Sequence, residues 1–108
     1  MNWERLTDLQ QLEQITKASF QVPVLFFKHS TRCSISVMVL NRFEREWNNK
    51  SVNAYFLDLL KYREVSNQIA NFFEIEHHSP QILLIKDGIC VYHTSHNSIS
   101  AHVINDFC

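Results

Sequence analysis

The chain has 108 residues, 45% of them hydrophobic, with 10 lysines and arginines against 11 aspartates and glutamates. That length suits one domain, and that hydrophobic share excludes a disordered chain. A net charge of −1 gives no electrostatic reason to expect nucleic acid or an anionic membrane as partner.

Thr7-Asp8-Leu9-Gln10 has the form of a capping box, with Thr7 at the N-cap and Gln10 at N3. Leu9, Leu12 and Ile15 follow at helical spacing, so a helix is expected over about 8–17. VPVLFF (22–27) is a short apolar run whose length and β-branching predict a strand covered on both faces. Pro23 is tolerable near its start. From Cys33 to Trp47 the period changes. Ser36, Leu40, Phe43 and Trp47, with Val39 beside them, form one stripe of a helix, and Arg42, Glu44, Arg45 and Glu46 form its wet side. NAYFLDLL (53–60) reads as the next strand. A second amphipathic helix over 62–74 carries Val65, Ile69, Phe72 and Phe73 inward. Ser79-Pro80 precedes the strand QILLIK, and Asp87-Gly88 between it and ICVYH signals a hairpin. Asn97 or Ser98 can cap a last helix with Ile99, Val103 and Phe107 on one face.

Strand, crossover helix and strand demand parallel neighbours, and the hairpin adds antiparallel pairing. The expected fold is α/β: a mixed four-stranded sheet flanked by helices on both faces, preceded by an N-terminal helix, all in one domain over 1–108. No apolar stretch is long enough to span a bilayer. The polar start MNWERLTDLQQ lacks the apolar segment of a secretory signal. A cytoplasm or an equivalent reducing compartment is therefore expected.

Cys33, Cys90 and Cys108 are an odd number of cysteines, which argues against a disulfide framework. Cys33 stands in HSTRCSIS (29–36), between the first core strand and the long helix. A thiol at that junction, and a proline leading the third strand before a KDG hairpin, resemble the thioredoxin superfamily. More specifically, FKHSTRCSIS (27–36) resembles the FKHST-x-CPIS segment of the YtxJ-like monothiol bacilliredoxins, and the similarity runs through SPQILLIKDG (79–88) to the final helix. The resemblance implies a thioredoxin-like fold and a cis peptide at Ser79-Pro80, with that loop against the reactive cysteine. It also implies bacillithiol as the small-thiol co-substrate and no tightly bound cofactor. One departure stands out: Ser34 follows the cysteine where the family commonly has proline, which loosens the first helical turn and adds a hydroxyl near the thiol.

Thiol–disulfide exchange needs a thiolate. A free cysteine has a pKa of about 8.5, which a helix N-terminus or a nearby cation brings to ~3.5–7.5. Cys33 is placed to use both. N–H groups of the first turn can point at its sulfur, Arg32 is adjacent, Lys28 and His29 end the preceding strand, and Ser30 or Thr31 can cap the helix. Ser36 occupies the place where a second cysteine would resolve a mixed disulfide. A hydroxyl there cannot resolve it, but it can donate a hydrogen bond to the thiolate or to a bound disulfide. Cys33 and Ser36 are thus the expected catalytic pair, with Lys28, His29, Thr31, Arg32, Ser34, Ser79 and Pro80 around the substrate. The expected activity removes the small thiol from client proteins, after which a second thiol or a redox protein resets Cys33. An iron–sulfur carrier of the monothiol glutaredoxin type is the alternative, although CSIS lacks the glycine and phenylalanine of CGFS; a thioredoxin-like interaction module without turnover is another. Cys90 reads as a small apolar filler and Cys108 as a passive tail. His77 and His78 read as solvated loop residues. Cys90, His93 and His96 do not make a metal site, because steps of three alternate the faces of a strand.

Overall fold

The computed structural model describes residues 1–49 and 51–107. Its elements are β1 (Glu4–Arg5), α1 (Leu9–Ala18), β2 (Val24–His29), α2 (Ser34–Glu46), β3 (Asn53–Asp58), α3 (Arg63–Phe73), β4 (Gln81–Lys86), β5 (Ile89–Ser95), a 3-10 turn (His96–Ser98) and α4 (Ala101–Phe107). The sheet runs β1-β3-β2-β4-β5. β1, β3 and β2 are parallel, whereas β4 is antiparallel to β2 and β5 to β4.

Alternation along the buried strands divides the core in two. Leu25 and Phe27 face Val39 and Phe43 of α2 and Ala101 and Ile104 of α4. Val24 and Phe26 face Leu12 and Ile15 of α1 and Val65 and Ile69 of α3. Each side of the sheet is therefore sealed by its own helix pair, which is why β2 and β4 read as continuous apolar runs. Arg42 fastens the α2 side by donating to the carbonyls of Asn97 (3.3 Å) and Ile99 (2.7 Å).

The sheet has five strands rather than four. The added strand, Glu4–Arg5, pairs with Tyr55 and Phe56 of β3 and is too short to show a period. Trp3 beside it stacks on Phe43, meets Phe27 and Phe56 edge-on, and donates its indole N–H to Glu44 at 2.7 Å. The α1 cap lies one residue later than expected. Asp8 accepts the Gln11 N–H at 2.8 Å, and the Gln11 amide oxygen accepts the N–H groups of Thr7 and Asp8. That phase turns Leu12 and Ile15 inward and leaves Leu9 exposed. In α3 the buried stripe is Val65, Ser66 and Ile69; Phe72 lies outside it and is exposed, against expectation, and Phe73 is partly buried. At the C-terminus the 3-10 turn delays α4 to Ala101 and rotates its inward face to Ala101 and Ile104, so Val103 and Phe107 are exposed. Cys108 lies outside the described residues. Among the described residues no helix is long and apolar enough to cross a membrane.

Candidate active site around Cys33

β2 ends at His29, the chain turns through Ser30–Cys33, and α2 begins at Ser34. The Cys33 N–H donates to the Ser30 carbonyl at 3.2 Å, closing the turn, and the Cys33 carbonyl accepts the Val37 N–H as the first helical bond. Cys33 is thus the N-cap residue itself, with an extended backbone (φ −107, ψ 117), and neither Ser30 nor Thr31 takes that place. Its thiol is free, half-buried, and makes no capping hydrogen bond. Thr31, Arg32, Ser34 and Ile35 around it are exposed, so the turn that carries the thiol lies at the protein surface.

Ser36 is fully buried. Its Oγ lies 2.7 Å from Nδ1 of His29 and accepts the Ser30 N–H at 3.1 Å. Burial holds the His29 imidazole below its usual pKa, against weaker opposing fields from Asp58 and Glu44. The set is satisfied when the hydroxyl donates to Nδ1 of a neutral ring. The hydroxyl proposed to meet the thiol is therefore already spent on β2, and Ser36 ties the first turn of α2 to the strand before it.

Lys28 goes to the opposite side of the sheet. It is fully buried, and its ammonium donates to the Ser66 carbonyl at 3.1 Å and lies 3.2 Å from Nδ1 of His77. Burial alone lowers its pKa to about 8. His77 is lowered by burial and by its positive neighbours Lys28, Arg63 and His78, and as a neutral ring it can accept from Lys28. His77 is therefore a partly buried partner of Lys28 rather than a solvated loop residue. This pair ties β2 to the loop ahead of β4.

The Ser79-Pro80 peptide is cis, Pro80 is buried, and the Pro80 carbonyl accepts the His96 N–H at 3.0 Å. Ser79 Oγ is buried with no protein partner. The register pairs Lys28 with Gln81 on one side of β2 and His29 with Asp58 on the other. The Cys33 turn consequently lies between the proline loop and the segment after β3. Thr31 and Arg32 share a cleft with Asp58, Leu60 and Lys61. Sequence reasoning missed those last three. The signal was available in the βαβ order, which brings the C-terminal ends of parallel β2 and β3 side by side.

Cys90 on β5 is half-buried; burial raises its pKa, and its thiol donates to the Tyr92 carbonyl at 3.4 Å. A buried neutral thiol is a poor nucleophile. Among the described residues no three His, Cys, Asp or Glu side chains converge to hold a metal ion.

A free, half-buried thiol at the start of the helix after a central parallel strand, with a cis-proline leading the antiparallel strand next to it in the sheet, is the candidate site of a thioredoxin fold. The chain belongs to the monothiol bacilliredoxin BrxC family, whose model matches residues 4–104. It is similar to a solved thioredoxin-fold protein provisionally described as an oxidoreductase, with 25% identity, a TM-score of 0.82, and coverage of 94% of this chain and 89% of that one. It also superposes on thioredoxins from Schistosoma mansoni (16% identity, TM-score 0.75, coverage 97% and 91%) and Malassezia sympodialis (14%, 0.74, 97% and 86%), which share the fold. Family and fold make this a thiol redox enzyme.

Proposed function

We propose that the protein is a monothiol oxidoreductase that removes bacillithiol from protein mixed disulfides through Cys33. The supporting observation is the pairing of one accessible thiol at the α2 N-cap with a buried serine, bonded to His29, where a resolving cysteine would stand. The Cys33 thiolate attacks the bacillithiol sulfur. A Cys33–bacillithiol disulfide forms, the bond to the client breaks, and the client leaves as a thiolate that takes a proton from water. No net oxidation occurs in that step. A second small thiol, or a redox protein, then attacks the Cys33 disulfide and carries the oxidation away. The partners this reading implies are bacillithiolated client proteins and that resetting thiol, in a reducing compartment such as the cytoplasm.

The test is intact mass and peptide mapping after exposure to oxidised bacillithiol or oxidised glutathione. The expected result is one adduct, on Cys33, formed faster with bacillithiol and lost in Cys33→Ser. Equal modification of Cys90 would overturn the site. A strong glutathione preference would overturn the choice of small thiol.

A further inference from the structure

We infer that the cleft between the Cys33 turn and the segment after β3 receives the small-thiol half of the mixed disulfide, and that Arg32 and Lys61 select a thiol carrying a carboxylate. This rests on the reading of Cys33 as the exchanging thiol.

Sheet order supplies the first argument. β2 lies between β3 and β4, so the Cys33 turn has two different flanks. On the β4 side stand Pro80 and His96, joined through their backbones. On the β3 side, the Leu59 N–H donates to the His29 carbonyl at 3.1 Å and holds the segment after β3 directly against the start of the turn. The Asp58 carboxylate accepts the Lys61 N–H at 3.3 Å and fixes the next bend. Both walls of the cleft are therefore anchored to the strand that delivers Cys33.

Size and charge supply the second. The cleft measures about 400 Å³ and is lined by Thr31, Arg32, Asp58, Leu60 and Lys61. That volume suits a small molecule and is too little for a folded client. Two cations against one carboxylate leave a net positive charge. Among the described residues neither Arg32 nor Lys61 forms an ion pair; Lys61 lies over the Tyr62 ring, 5.5 Å from its centroid. Both side chains are exposed and available to a ligand. Leu60 gives the wall an apolar patch, 37% exposed. A cysteine-derived small thiol offers a matching set: a sulfur for Cys33, a short apolar link, and a carboxylate for the cations. With that half lodged on the β3 side, the client half of the disulfide is left to the proline flank.

The experiment uses one cysteine peptide carried as three mixed disulfides, with glutathione (anionic), 2-mercaptoethanol (neutral) and cysteamine (cationic). Release of the peptide thiol by the full chain gives kcat/KM for each at low ionic strength. Ratios between variants cancel the intrinsic reactivity of each disulfide. Lys61→Glu and Arg32→Glu should each lower the anionic-to-cationic ratio by about tenfold, as expected for reversing one charge contact. Lys61→Gln should fall between, and added salt should shrink the wild-type preference. A ratio that neither reversal moves, with exchange still running, would overturn the cleft assignment and leave the Cys33 reading intact. Absence of exchange with all three disulfides in the wild type would overturn both.

Discussion

The hydroxyl of Ser36 stands 2.7 Å from Nδ1 of His29, one turn into α2 and inside the protein. This contact, with the Ser30 N–H on the same oxygen, closes the loop that carries Cys33. Ser36, three residues after Cys33, thus ties the turn that carries the thiol to the end of β2.

Ser36→Ala should therefore act first on stability. It strands a buried imidazole nitrogen and a buried N–H, at a cost of about 1–3 kcal/mol. The midpoint of urea unfolding should fall accordingly. Native alkylation of Cys33 should persist, because the hydroxyl serves His29 and Ser30. Unchanged stability with abolished alkylation would instead return Ser36 to a direct role at the sulfur.

Ser34 stands at the first helical position, where proline is well tolerated because that N–H lacks an intrahelical acceptor. The preceding Cys33 has φ −107 and ψ 117, close to the extended range that proline requires of its neighbour. Ser34→Pro should thus fit and should stabilise by roughly 0.4–1 kcal/mol through the unfolded chain. The Cys33 thiol takes no capping hydrogen bond from the helix, so the rate of Cys33 alkylation should hold while the unfolding midpoint rises. A destabilised variant would show that the Ser34 N–H has a partner that matters.

The positions of Cys33, Pro80 and the Asp87-Gly88 turn were legible because local order decides them. A cysteine among exposed polar residues at a strand-to-helix junction, a proline before β4 and an Asp-Gly hairpin are all local signals. The two roles of the β2 end were not legible. Lys28 and His29 are adjacent, so alternation sends one to His77 and the other to Ser36, and only the paired helices on each face decide what each meets. The strand Glu4–Arg5 was hidden for a related reason: two polar residues carry no period, and their pairing is set by buried Leu6 and partly buried Trp3 packing beside β3. Phe72 looked inward by spacing alone, but the inward face of α3 is narrower than an i, i+4, i+7, i+8 stripe.

The β4–β5 hairpin turns through Asp87 (φ 54) and Gly88 (φ 79), both left-handed, as a two-residue hairpin of primed type requires. A Cβ on Gly88 would come within 2.9 Å of the Phe20 ring, whose exposed end can move aside. The backbone cannot. Gly88→Ala should cost about 1–2 kcal/mol, and Gly88→Asn less, since asparagine tolerates that conformation better. Thermal unfolding of the pair checks the order.

Lys28 is buried without a carboxylate partner, and its pKa is lowered to about 8 from 10.5. Between those values the unfolded chain holds a proton that the folded chain has released. Stability attributable to Lys28 must then rise as pH climbs from about 8 toward 10.5, and the full cost of the buried ammonium is present below 8. Tyr55 and Cys90, both raised by burial, act in the opposite sense at alkaline pH, so the wild-type curve alone is ambiguous. The difference between wild type and Lys28→Met isolates the effect. Methionine matches the length, leaves out the charge, and leaves the Ser66 carbonyl and His77 without that donor. The advantage of Lys28→Met over wild type in urea midpoint should be largest at pH 7 and should shrink by pH 10. A difference that stays flat across that range would mean that Lys28 keeps its proton in the folded protein as readily as in the unfolded one. The tie between β2 and the loop before Pro80 would then be a fully charged contact.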